Sequence, residues 1–337
     1  SERFEAERVV SEAHLPPYGE YMGTTLNGQG HLDEEFGPRV PGRARVLVIG
    51  DSFSTGPVPY THHYTTFAER ELEDVEIMNV GVPRVGPDEY LVLYRDEGAA
   101  LEPDLVVIAF FVGNDVHDAH LRRAQSSLAK QLFDRRLCLT FEVPRRLWLL
   151  RGHTLPVVQP AGSAFEPLTV AEAERALPFL LDPRLEVPSF GEQGYREIAR
   201  GRAGYLERAD RSDFEQAFAP LLELRALAAP LPVVLLVLPD EFQVEDDVWR
   251  QACEDLGRVP ADRDRPQREL ARLCAEAGMP IYDTLPAMRA VAPLDDGRRH
   301  VYHLRDTHFN ARGNRVVGLE LARLVRDRLP REAWMRR

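Results

Sequence analysis

Cysteine is scarce: Cys138, Cys253 and Cys274 are the only three, too few and too scattered for a disulfide framework or a zinc knuckle, and they read as small buried hydrophobes. No apolar run approaches the roughly 18 residues that cross a bilayer, and no signal-peptide pattern is visible. The chain begins at Ser1 rather than Met, so a leader or anchor ahead of it stays open, and with it the choice between cytoplasm and cell envelope. Positive charge is also short. With 42 Lys and Arg against 54 Asp and Glu the net charge is −12, which argues against a nucleic-acid backbone as the main partner. Arg135-Arg136, Arg145-Arg146 and Arg151 read first as a solvated face, with a small anionic substrate as the alternative. Neither G-x-G-x-x-G nor G-x-x-x-x-G-K follows the first strand, so a nucleotide's phosphate cradle is missing. No internal repeat is visible, and the oligomeric state is not legible.

What is present is a set of short aliphatic runs alternating with helical patterns. Val46–Ile49 ends in Gly50-Asp51-Ser52-Phe53-Ser54, a strand buried on both faces that turns at a glycine and presents a hydroxyl at its carboxyl end. Further strands are expected at Val75–Asn79, Leu105–Phe111, Val233–Leu238 and Ile281-Tyr282. Helices are expected at Thr65–Glu73, from Pro87-Asp88, at Asp213–Ala228, at Gln267–Ala277 before Gly278, and at Asn310–Arg328. This alternation predicts an α/β fold with a parallel sheet covered on both faces. Residues 1–44, rich in glycine, proline and charge, read as an extension wrapped on a domain spanning 45–337. Residues 116–212 lack a strong strand, are too long for a loop, and read as a helical insertion or cap over the sheet's carboxyl edge. Its Trp148, Phe165, Phe179, Phe190 and Tyr195 either line a pocket or, more simply, form the insertion's own small core.

A serine hydroxyl needs a base to take its proton and donors to hold the oxyanion it creates. Asp306-Thr307-His308 offers an imidazole and a carboxylate able to fix its tautomer. Asn114 follows the Leu105–Phe111 run and brings a carboxamide to a second strand end, while Asn79-Val80-Gly81-Val82-Pro83-Arg84-Val85-Gly86 supplies a loop of main-chain donors. Each residue also has a plain role open to it: Ser52 and Asp306 as caps, His308 beside a helix start capped by Asn310, and Asn114 in a turn. Asp115 reads as a brace. Acids and imidazoles over Asn114–His120 raise a metal, but without a third block the spacing is weak. The adjacent His62 and His63 diverge in most backbones, and His303 reads as a surface loop residue that alternatively shapes the cleft.

These blocks, in this order, resemble those of the SGNH (GDSL-type) hydrolase superfamily over residues 45–115 and 231–325. The resemblance implies a flavodoxin-like three-layer α/β/α fold with a five-stranded parallel sheet of order 2-1-3-4-5. It assigns Ser52 as nucleophile, His308 and Asp306 as its partners, and Ser52 N–H with the Asn114 amide as oxyanion donors. Where the family usually carries a glycine this chain has Arg84, so the third donor is the N–H of Arg84, Gly81 or Gly86. The Asp-x-His spacing is similar to that of the alginate O-acetyltransferase branch and related envelope proteins. The function implied is hydrolysis of a short, acetyl-like ester of a glycan or small metabolite through an acyl-enzyme, with no cofactor and no metal. An O-acyltransferase using the same triad and a noncatalytic glycan- or partner-binding relative are the alternatives.

Overall fold

The computed structural model describes residues 2–21, 24–126, 164–259 and 262–329. Cys138, Trp148 and the Arg135–Arg151 stretch lie outside them. Five strands, β1 (Ala44–Gly50), β2 (Val75–Gly81), β3 (Leu105–Phe111), β4 (Val233–Leu238) and β5 (Ile281–Asp283), form one parallel sheet in the order β2-β1-β3-β4-β5. This is the expected 2-1-3-4-5 order, and it sets β1 between β2 and β3.

The period-2 alternation of a strand explains why β1 carries no polar face. Leu47 and Ile49 point into a core shared with Tyr90, Phe214, Phe218 and Leu270, whereas Val46 and Val48 point into a second core with Tyr64, Val317 and Leu321. Helices Pro87–Asp96, Arg211–Ala228 and Arg265–Ala277 therefore cover one face, and Tyr64–Arg70, Leu285–Ala290 and Ala311–Arg328 the other. Each buried aliphatic contributes about 1.5–3 kcal/mol, so Ile49→Ala, which adds a cavity, costs roughly 2–5 kcal/mol. The helix ends follow local chemistry. Gly278 closes Arg265–Ala277 in the left-handed conformation at φ 61°, and Asn310 caps the last helix by accepting from the N–H groups of Arg312 and Gly313.

The exposed edge of β2 is covered by the N-terminal segment. Asp33 accepts from Asn79 N–H at 2.7 Å, the Leu32 carbonyl accepts from the Asn79 side chain at 3.1 Å, and the Gly81 carbonyl faces His31. A bare edge strand invites pairing with another chain, and these contacts occupy its outward groups. Helix Glu2–Ala13 adds Ala6, Val10 and Ala13 to the first core.

In the 116–212 stretch the described helices are Asp115–Ser126, Val170–Ala176 and Glu192–Arg208. Phe179 and Tyr195 pack in satellite clusters, the first with Leu180 and the second with Phe242 and Trp249. Phe165 meets Tyr60 edge to face, and Phe190 is largely exposed. Cys253 and Cys274 are buried and unpaired.

Candidate active site

Ser52 starts a four-residue helix, Ser52–Thr55, that the sequence pattern did not reveal. Asp51 precedes it, fully buried, and accepts from Phe53 N–H at 3.0 Å. The turn is tight. A Cβ on Gly50 would lie 2.2 Å from Ser54 Oγ, and one on Gly81 2.5 Å from the Ser54 carbonyl carbon, so Gly50 leaves room for the Ser54 side chain and Gly81 for the close approach of its main chain. The helix is further held by Asn79, which donates to the Ser54 carbonyl at 2.7 Å, and by Ser54 Oγ against Tyr64 Oη at 2.6 Å. Of the two serines in Gly-Asp-Ser-Phe-Ser, Ser54 is thus buried and bonded, and Ser52 is the one left toward the cleft.

The final loop brings the imidazole to it. A bridge between Tyr302 and Phe309 closes the loop, and His303 N–H bonds to the His308 carbonyl at 2.9 Å. Next to that bridge His308 Nε2 lies 2.9 Å from Ser52 Oγ, and His308 Nδ1 lies 2.6 Å from Asp306 Oδ1. The same carboxylate oxygen accepts from His308 N–H at 3.1 Å, which fixes ring and main chain together. Burial would raise the Asp306 carboxyl, but the His308 ring, the His308 N–H and the Ser189 hydroxyl outweigh it and hold Asp306 well below the usual carboxylate range. A carboxylate so held favours the tautomer with hydrogen on Nδ1, leaving the Nε2 lone pair toward Ser52. The Phe53 ring, stacked on Phe111 at 3.9 Å between centroids and 4.9 Å from the His308 ring, fills the space beside it.

Three residues of this assembly were not singled out from the sequence. Glu186 pairs with His303 Nδ1 and accepts from Leu304 N–H at 2.8 Å. Main-chain bonds from Ser189 and Phe190 to Leu304 and Arg305 extend the strap, so residues 186–190 fasten the loop that carries Asp306. Arg202, on helix Glu192–Arg208, lies 5.1 Å over the Phe111 ring and donates to Asp240 at 3.2 Å, placing that helix at the carboxyl ends of β3 and β4. His303 is buried, not a surface residue.

The oxyanion candidates are arranged less uniformly. Asn114 donates through Nδ2 to Asp51 Oδ2 at 3.3 Å; a carboxamide nitrogen carries two hydrogens, so one remains. Asp51 itself is pushed upward by burial, against the opposing pull of Phe53 N–H, His308, Asn114 and Arg202. Gly81 must be corrected. Its neighbour Val82 donates to the Gly50 carbonyl at 3.1 Å, and because main-chain groups alternate along a strand, those of Gly81 face the opposite edge, where its carbonyl meets His31. The Gly81 N–H therefore points away from Ser52. Gly86 N–H is committed to Glu89 at 2.9 Å. Arg84 is exposed and adopts a left-handed backbone with φ 67°, the conformation a glycine takes without cost. Asp115 braces the loop, accepting from the Tyr90 hydroxyl at 3.0 Å and from Phe111 N–H at 3.0 Å.

The other histidines disperse. His120 meets Asp213 at 2.8 Å and His117 packs on Tyr205. His63 caps helix Tyr64–Arg70, while His62 faces Glu174 at 3.8 Å.

No protein-family model and no curated protein matches the chain. Solved structures do resemble it. An acetyl xylan esterase, AlAXEase, is 12% identical, with 83% of this chain and 99% of that one covered at a TM-score of 0.41. A lipase/acylhydrolase from Enterococcus faecalis is 17% identical over 85% and 96% of the two chains at 0.40. The M. smegmatis aryl esterase is 15% identical over 85% and 100% at 0.41. At such identities and scores the fold rests on the strand order above, and the chemistry on the distances.

Proposed function

We propose that the protein is a serine ester hydrolase of the SGNH (GDSL-type) kind, working through Ser52, His308 and Asp306. The observation that carries this reading is the alignment of three groups from distant segments: Ser52 Oγ, His308 Nε2 at 2.9 Å, and Asp306 Oδ1 at 2.6 Å from Nδ1. In the reaction His308 takes the Ser52 proton as Oγ attacks the ester carbonyl, and Asp306 stabilises the imidazolium without becoming protonated. The oxyanion is held by Ser52 N–H, which in a helix's first turn has no intrahelical acceptor, by the second hydrogen of Asn114 Nδ2, and by the N–H of Arg84. The tetrahedral intermediate expels the alcohol, which receives the His308 proton. Water, deprotonated by the same ring, then attacks the acyl-enzyme and releases the acid and free Ser52.

Phe53, Phe111 and Phe309 fill the apolar space beside His308, which favours a short acyl group such as acetyl on a glycan or small metabolite. Helix Glu192–Arg208, with Arg202 over Phe111, is read as the cap on the alcohol side. The test is turnover of p-nitrophenyl esters from C2 to C12, with Ser52→Ala as control, together with a fluorophosphonate probe. Turnover favouring short chains and lost in the variant, with one adduct per chain, is expected. Equal rates in both proteins would remove the mechanism, and absence of an adduct would favour the binding-only alternative.

A further inference from the structure

Away from Ser52, two histidines of the N-terminal segment converge on one carboxylate. His31 Nε2 lies 2.9 Å from Glu97 Oε2 and His14 Nε2 lies 3.2 Å from Glu97 Oε1. All three donor groups can bring one atom each within 4.8 Å of one another. The far side of each ring is held by a main-chain carbonyl: His14 Nδ1 is 3.1 Å from the Leu15 carbonyl, and His31 Nδ1 3.4 Å from that of Gly81. A carbonyl can only accept, so each Nδ1 carries a hydrogen, and each Nε2 faces Glu97 either as the second N–H of an imidazolium or, once deprotonated, as a lone pair. Without metal each Nε2 needs its own proton to meet its carboxylate oxygen; with those protons gone, two lone pairs and a carboxylate face one point, the donor set of a metal cation.

These carbonyl contacts follow the pattern of metal-bound histidine, whose other ring nitrogen donates to a carbonyl or carboxylate. Donor separations also suit it: ligands about 2.1 Å from a tetrahedral zinc stand roughly 3.4 Å apart, close to the two His–Glu separations given above. Only the two rings need to approach each other. The His31 side chain is 1% exposed, while His14 and Glu97 are 24% and 30% exposed, so a water can enter from their side as fourth ligand.

We propose that His14, His31 and Glu97 form a structural site for a divalent transition-metal cation of the zinc class. The site ties the N-terminal segment to the end of helix Pro87–Asp96, and through His31 to the carbonyl that ends β2. Loading displaces the Nε2 protons to solvent and leaves the imidazoles neutral. It is independent of the ester chemistry, and its readouts need no substrate.

The chain is stripped with a chelator, dialysed, and titrated with Zn2+ by calorimetry, with Co2+ absorption as a second measurement. Native protein should bind one equivalent at micromolar concentration or tighter, show a rise in Tm with metal, and give visible Co2+ bands. His14→Gln and Glu97→Gln, at partly exposed positions, should each weaken binding at least tenfold and abolish the Tm rise. His31→Gln should do the same, and if it fails to fold the other two variants decide. Binding only at millimolar metal, or binding unchanged in His14→Gln and Glu97→Gln, would overturn the site in favour of a proton-bridged cluster.

Discussion

On one side of the Ser52 hydroxyl, an imidazole and a carboxylate stand in line at 2.9 and 2.6 Å, fixed by a bridged loop and by the 186–190 strap. On the other, Asn114 shares its amide with Asp51 at 3.3 Å, Gly81 faces the sheet edge, and Arg84 holds φ 67°. On the proposed mechanism the proton-transfer side would be complete before substrate arrives. On the proposed oxyanion side the Asn114 amide is already engaged by Asp51, so in that mechanism an ester carbonyl would compete with Asp51 for it. The difference matters because, on the proposed mechanism, the two sides would make separable contributions: one the nucleophile, the other preorganised charge stabilisation.

Changes on the complete side should therefore cost most. Ser52→Ala and His308→Gln are expected to lower kcat by 10^4-fold or more, and Asp306→Asn by about 10^4-fold, because the ring then settles in the wrong tautomer. Double variants of Ser52 and His308 should lose little beyond either single change, as members of one unit do. Steady-state rates on the shortest active ester check this; independent, additive losses would break the picture of a coupled side. Asn114→Ala should cost less, about 10^2–10^3-fold in kcat with KM nearly unchanged, the range for a single oxyanion donor. A KM effect alone would place Asn114 as a brace on Asp51 and leave the oxyanion to the main chain.

The same contrast governs what the sequence discloses. β1, β3 and β4 centre on continuous apolar runs ended by glycine or turn residues, and a strand buried on both faces admits few other readings, whereas β2 is interrupted by Glu76 and Asn79. Ser52 and Asn114 sit at strand ends, and His308 just ahead of an Asn-capped helix, so a motif in local context singled out all three as candidates. Strand order came from the family resemblance, since periodicity does not fix it. The direction of Gly81 was hidden because it depends on which neighbour each side of an edge strand faces. Glu186 and Ser189 lie in a stretch whose pattern was read only as an insertion, and their partners are more than a hundred residues away in Leu304 and Asp306. His14 and Glu97, 83 positions apart, carry no spacing signal at all, which is why no metal was expected there.

The Ser52 side also has a hidden acid weakness. His63 is fully buried against the Phe53 carbonyl at 3.4 Å and against Thr65 Oγ1 at 2.7 Å. Burial pushes its imidazole down to about 4, against the usual 6.5. Between those values the unfolded chain binds a proton that the folded chain refuses, so His63 makes stability fall as pH drops from 6.5 toward 4. The contribution is about 2 kcal/mol by pH 5 and approaches roughly 3 kcal/mol at pH 4. His63→Asn keeps a capping acceptor and should flatten this slope in urea unfolding at pH 6.5, 5.5 and 5.0. An unchanged slope would mean that the imidazole ionises inside the fold, and the acid sensitivity would then lie elsewhere.

The smallest effect tests the least settled donor. A non-glycine residue in the left-handed region costs about 1 kcal/mol, and Arg84 bears that cost at φ 67° with its side chain exposed. If its contribution is the main-chain N–H, Arg84→Gly keeps the donor and removes the steric cost. The gain is tempered by the greater freedom of glycine in the unfolded chain. Expected are kcat and KM within about threefold of native and a stability gain of up to about 0.5–1 kcal/mol. A tenfold or larger rise in KM for anionic esters only would show the guanidinium binding substrate instead. The oxyanion side would then have traded a free backbone for charge recognition, which would give the asymmetry around Ser52 a substrate-selecting purpose.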